Sequence, residues 1–97
     1  MILIITLNPL LENRFTYQQI KIGRVNRNPN TVTAAGGKGI NVSRQLKKFG
    51  VKSFNYFFSG GTNGKLFREL LNEEELEFTF VSTKSETRHA AVVISDN

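Results

Sequence analysis

Cysteine and tryptophan are absent from this 97-residue sequence, and histidine and methionine occur once each. Without cysteine there is no disulfide framework and no thiolate metal site. The single His89 cannot assemble a metal centre unaided. No apolar run approaches the ~18 residues that a membrane span requires. The opening Met1-Ile2-Leu3-Ile4-Ile5 lacks the basic flank of a signal peptide. The expectation is a soluble, cytoplasmic protein with no membrane partner. Acidic residues are scarce in the first half. Up to Gly50, eight Lys or Arg accompany one acid, Glu12, whereas beyond it five bases stand against seven acids. Such an excess suits an anionic partner, either nucleic acid or a small phosphorylated compound. The bases are scattered singly and no nucleic-acid-binding signature accompanies them, which argues against nucleic acid. Lys21, Lys47 and Lys48 read as ordinary solvated side chains.

What the sequence does contain is enough apolar material for one modest core, with 39% hydrophobic residues and eight Phe. Ile2 to Leu7 is a short, β-branched run of the kind buried on both faces in a parallel sheet. Asn8-Pro9 stops it, since Pro donates no backbone hydrogen bond and restricts its predecessor. From Arg14 to Thr33, Phe15, Tyr17, Ile20 and Ile22 alternate with polar residues. This predicts two or three antiparallel strands, an excursion between the first strand and its helix. Val42, Leu46 and Phe49 fall at i, i+4, i+7 and predict a helix with that face buried, closed by Gly50 with Lys47 and Lys48 in the last turn. Val51 to Phe58 alternates Phe54, Tyr56 and Phe58 and reads as a strand. A glycine loop, Ser59 to Gly64, leads to a helix carrying Phe67, Leu70 and Leu71. Glu73-Glu74-Glu75 reads as its solvated end. Glu77–Val81 and Thr87–Ser95 read as strands. The order is that of an α/β fold with right-handed crossovers. Ser95-Asp96-Asn97 shows no cap or closing strand, so the expectation is the front of a larger domain.

The stretch that carries chemistry is Ala34-Ala35-Gly36-Gly37-Lys38-Gly39-Ile40-Asn41-Val42-Ser43-Arg44. Glycines before a helix let a ligand approach the backbone, and the helix start offers unpaired N–H groups and positive potential. Lys38 adds a full charge. Lys38-Gly39 excludes a Walker A loop, which requires Ser or Thr after the lysine, and the glycine spacing excludes the dinucleotide fingerprint. Two readings stand on these residues: a turn that binds an anionic or polyhydroxylated ligand, and a tight strand-to-helix connection with an exposed lysine. Asn8, Glu12 and Asn13 follow the first strand, where open α/β sheets bind ligands; an Asx-type turn is the other reading of Asn8.

With these motifs in place, the sequence resembles the PfkB (ribokinase-like) carbohydrate kinases, in particular the 1-phosphofructokinase and tagatose-6-phosphate kinase branch. Thr6-Leu7-Asn8-Pro9 resembles that branch's TLNP, Val25-Asn26-Arg27 its VNR, and Gly36 to Arg44 its GGKGINVSR signature. Ser59 to Gly64 is similar to its glycine loop and Glu86-Thr87-Arg88 to its ETR. The resemblance implies an α/β, ribokinase-like fold with a parallel, Rossmann-like core and a small antiparallel β lid, here at about residues 13–34, inserted after the first strand. It covers this whole chain but only about the N-terminal third of a family domain. It implies a kinase transferring the ATP γ-phosphoryl group to a hydroxyl of a sugar phosphate such as fructose 1-phosphate or tagatose 6-phosphate. The positions matching family substrate contacts are Glu12, Gly37, Lys38, Asn41 and Arg88. Asn41 and the Gly37 backbone would meet sugar hydroxyls, and Lys38 and Arg88 the substrate phosphate. The lid strands would also serve as a homodimer contact. Two positions depart from the family pattern, Glu12 in place of Asp and Ala90 in place of Asn. The family's GAGD catalytic base and its adenine site have no counterpart here. ATP and Mg2+ would therefore serve the complete enzyme, while this chain alone would bind neither and be inactive. The alternative is a non-catalytic sugar-phosphate-binding or interaction module.

Overall fold

The computed structural model describes residues 1–96; the open end read at Asn97 lies outside them. β1 (Ile2–Thr6) pairs in parallel with β4 (Ser53–Gly60), and β4 with β5 (Phe78–Thr83), giving a sheet of order β1-β4-β5. The crossovers are α1 (Lys38–Lys48) and α2 (Gly61–Glu73). A second sheet, of order β3-β2-β6, joins β2 (Leu10–Tyr17), β3 (Asn30–Gly36) and β6 (Arg88–Ser95). In it β2 runs antiparallel to β3 and parallel to β6. No helix among the described residues is long and apolar enough to cross a membrane.

Both steps of the parallel sheet advance in the same direction, and right-handed crossovers then put both helices on the same face. That face holds the core: Phe57 packs edge-on against Phe67 at 5.0 Å between ring centroids, with Ile40, Leu71, Leu76, Leu11 and Ala35 around them. The opposite face is bare, with Leu3 62% and Ile5 58% exposed. The expectation that β1 is buried on both faces is therefore corrected. Its apolar run is real, but the described elements cover one side of it.

The helix face read from the sequence fails, and β4 shows the same cause. In β4 the buried positions are Asn55, Phe57, Ser59 and Gly60, whereas Phe54, Tyr56 and Phe58 point to the bare face. In α1 the buried residues are Ile40 and Ser43, while Val42 and Phe49 are exposed. The helix approaches the sheet through small residues. A Cβ on Gly39 would overlap Thr6 Oγ1 and come within 2.9 Å of Ile4 Cγ2. Ser43 Oγ, in turn, accepts from Asn55 Nδ2 at 2.9 Å. Close approach of small side chains, not the largest apolar ones, sets the helix face.

The antiparallel excursion exists, but as two strands at Leu10–Tyr17 and Asn30–Gly36. Ile20 and Ile22 lie between them in a loop, and Ile22 is fully in solvent. Asn26 organises that loop: its Oδ1 accepts from Lys21 N (2.9 Å) and its Nδ2 donates to Lys21 O and Arg24 O, each at 3.1 Å. Gly23 makes the turn inside it with φ 80°. The last strand joins this second sheet rather than extending the parallel one.

Candidate functional site

β3 passes into α1 through one residue, Gly37, whose φ of 122° lies where L side chains are strained. A Cβ there would also press to 3.2 Å from Thr6 Cγ2. Lys38 then opens the helix, exposed, with no hydrogen bond or ion pair among the described residues. Among the described residues no side chain hydrogen-bonds to the amides of this helix start.

The register of the second sheet joins residues far apart in sequence. Leu10 pairs with Gly36 on one side and Arg88 on the other. Gly36 and Arg88 thus sit about 10 Å apart across one strand, at the same end of the sheet. Side chains two residues on share a face, so Glu12 lies on the face of Leu10, between Ala34 and Ala90. The two departures from the kinase pattern, Glu12 and Ala90, are therefore direct cross-strand neighbours. Leu11 and Ala35 point the other way, into the core. Glu12 is tied to Arg14, whose Nε donates to Oε1 at 2.7 Å. Arg88 Nη2 donates to the Asn8 carbonyl at 3.1 Å. That bond draws Arg88 to the chain just beyond β1, beside a cleft of about 280 Å³ lined in part by Asn8, Pro9, Phe58, Thr83 and Glu86. Of the five sequence-predicted residues, Arg88 lines this cleft and the other four do not.

Arg44 braces the glycine turn from behind. Its Nε and Nη2 donate to the Glu74 carboxylate at 2.6 and 2.8 Å, and Nη2 also reaches the Ala35 carbonyl. The Glu74 hydrogen bond holds the guanidinium above its ordinary pKa, against the opposing effect of burial, with the Glu74 and Glu12 charges adding to the rise. Glu74 is thus more than a solvated helix end, which corrects the reading of Glu73-Glu74-Glu75. Arg44 Nη1 donates to Asn41 Oδ1 at 2.8 Å, which consumes the amide oxygen and leaves the Asn41 NH2 donors outward. Sequence reasoning left three residues without a role: Asn63, which at the start of α2 donates its N–H to Glu86 and its Nδ2 to the Thr87 carbonyl, and those two partners. The Glu86-Thr87-Arg88 triplet marked the place, but partners this distant leave no spacing signal.

Comparison with known proteins gives one family. Tagatose-6-phosphate kinase of Staphylococcus epidermidis is 34% identical over 96 residues, spanning 99% of this chain and 31% of that protein. 1-Phosphofructokinase of Bacillus subtilis is 40% identical over 88 residues, 91% of this chain and 29% of the relative. The chain thus spans less than a third of the length of these curated relatives. Among solved structures, phosphofructokinase-2 of Escherichia coli in complex with fructose 6-phosphate superposes with a TM-score of 0.90 at 30% identity, over 98% of this chain and 31% of that one. These kinases share the ribokinase-like arrangement found here. The model of the pfkB family carbohydrate kinases matches residues 4–97, and the chain belongs to that family.

Proposed function

We propose that this chain forms the sugar-phosphate-binding part of an ATP-dependent, cytoplasmic kinase acting on a ketohexose phosphate such as fructose 1-phosphate or tagatose 6-phosphate. The observation that carries the reading is the strand register that puts Gly36 and Arg88 on either side of Leu10, with Lys38 at the adjoining helix start. In this reading Arg88 and Lys38 face the substrate phosphate, Arg88 with a planar fork suited to it. The Asn41 NH2 and the Gly37 backbone face sugar hydroxyls, and the Glu12 carboxylate accepts from one of them. The open edges of the second sheet, β3 and β6, are where a second copy would dock.

In this reading Mg·ATP is held by the rest of the complete kinase rather than by the residues described here. Among the described residues no three His, Cys, Asp or Glu side chains come together. Glu12 is held by Arg14, and Glu86 by backbone amides. No step of phosphoryl transfer is assigned to these residues, and the purified 97-residue chain is expected to show no turnover.

The test is Arg88→Ala in the complete kinase polypeptide that carries these residues. Affinity for the sugar phosphate should fall by about 1.5–3 kcal/mol, the scale of a charged hydrogen bond, with ATP affinity unchanged. Arg88→Lys should recover part of the loss. Equal losses for both substrates would make Arg88 a structural residue and sink the reading.

A further inference from the structure

Arg88 enters β6 directly from residues 84–87, a turn with no helix or strand of its own to hold it. The grip comes from the first turn of α2. Thr62 N and Asn63 N donate to the two oxygens of the Glu86 carboxylate at 3.2 and 2.9 Å. Thr87 is bound through all its polar atoms. Its N–H donates to Gly60 O at 2.9 Å, its hydroxyl oxygen accepts from Gly60 N at 3.1 Å, and its carbonyl accepts from Asn63 Nδ2 at 2.9 Å. Thr87 is buried although every neighbour from Val81 to Glu86 is exposed. Two glycines make room for this contact. Gly61 has φ 65°, and a Cβ on it would overlap the Glu86 carboxylate, while a Cβ on Gly60 would overlap the Ser85 carbonyl.

A carboxylate on helix N-terminal amides gains both charge-assisted hydrogen bonds and the favourable end of the helix dipole. The contact therefore resists opening. It fixes the main chain up to the residue before Arg88, and the Asn8 carbonyl then steers the guanidinium.

We propose that Glu86, with Thr87 and Asn63, is a positioning residue: it latches the turn to α2 and so sets where Arg88 points and how tightly a phosphate-bearing sugar is held. The inference rests on reading Arg88 as a phosphate contact. A guanidinium on a loose turn must be ordered at the moment of binding, whereas one on a latched turn has lost that freedom already.

The experiment compares Glu86→Ala, Glu86→Gln, Arg88→Ala and the double variant in the complete kinase polypeptide. It reads KM for fructose 1-phosphate, KM for ATP, and amide hydrogen exchange at Thr62, Asn63 and Arg88. Glu86→Ala should raise the sugar-phosphate KM about tenfold, leave the ATP KM alone, and speed exchange at all three amides. Glu86→Gln keeps one acceptor oxygen and should fall between wild type and Glu86→Ala, which covers the case in which the alanine variant folds poorly. In the Arg88→Ala background, Glu86→Ala should add nothing further to KM. An equal rise in that background, or faster exchange with unchanged KM, would overturn the latch and leave Glu86 a helix cap. An unchanged KM in Arg88→Ala alone would sink the reading of Arg88 itself, a result separate from any seen in the Glu86 variants.

Discussion

Two glycine-rich turns open the two helices, and the chain treats their exposed amides in opposite ways. At Gly37, β3 turns into α1 with no side chain among the described residues bonded to the helix start and a lysine beside it. At Gly60 and Gly61, β4 turns into α2, and Glu86 arrives from beyond β5 to fill the amides. Both turns stand at the carboxyl end of a strand, and both resemble anion-binding loops in sequence. The difference teaches that glycine density there does not by itself mark a ligand site. An anion site needs amides that the chain leaves unfilled. The two turns are also braced from opposite sides, the first from behind by Arg44, the second from in front by Glu86.

The largest expected effect comes from testing how much room each turn has. Gly60 has φ −143°, open to any residue, so its requirement for glycine is one of space alone. A Cβ there would overlap backbone, the Ser85 carbonyl, and stand 2.8 Å from the Thr83 carbonyl. Gly60→Ala should cost about 3 kcal/mol. Gly39→Ala meets side chains of Thr6 and Ile4, which can shift, and should cost about 1–2 kcal/mol. Urea unfolding of the two variants checks this. Equal losses would mean that the two turns are packed alike and would remove the contrast.

Much of this architecture was legible in the sequence, and the failures have one physical origin. Pro9 ending β1, Gly50 ending α1 with φ 73°, and the element order all follow from local rules of backbone geometry. The buried faces of β4 and α1 did not. Counting large apolar residues assumes that they face the core, whereas Gly39, Ser43 and Asn55 took those places because they permit close approach. The strand pattern at Ile20 and Ile22 failed because Asn26 captures that segment with its own side chain. At the site, Gly37 and Lys38 are adjacent in sequence and were readable together. That Arg88 lies one strand away from Gly36 depends on β6 pairing with β2, and the latch at Glu86 depends on contacts no local pattern records.

The brace behind the open turn gives the intermediate effect. Arg44→Ala removes the Glu74 pair, the bond to the Ala35 carbonyl and the partner of Asn41. The pair is 25% and 37% exposed at its two side chains, so solvent screens it, and the expected loss is about 1–2 kcal/mol. Its pH dependence has a defined sign. Arg44 is held above its ordinary pKa, so its contribution is complete below that value and is lost only as pH climbs through the raised one. The stability difference between wild type and Arg44→Ala should therefore stay constant from about pH 6 to about pH 9. A difference that shrinks across that range would place the stabilisation elsewhere than in the arginine's charge.

The smallest effect separates the two helices by one aromatic residue each. Phe49 and Phe67 both follow helical spacing, yet Phe67 is fully buried against Phe57, while Phe49 is 79% exposed. The reason lies at the end of α1. Gly50 takes a left-handed conformation, its N–H returns to Lys47 O at 3.0 Å, and Val51 N returns to Leu46 O at 2.9 Å. These bonds close the helix at Lys48, with Phe49 as its C-cap, and leave the ring outside, over no part of the core. Phe49→Ser should thus change stability by no more than about 0.5 kcal/mol, the range of surface substitutions. At a C-cap position the lower helix propensity of serine carries little weight. Urea unfolding at two protein concentrations checks the value. A loss above about 1 kcal/mol at both concentrations would mean that Phe49 packs within its own chain and that α1 turns its apolar stripe inward after all. A loss that appears only at the higher concentration would mean that the ring is covered by a second copy.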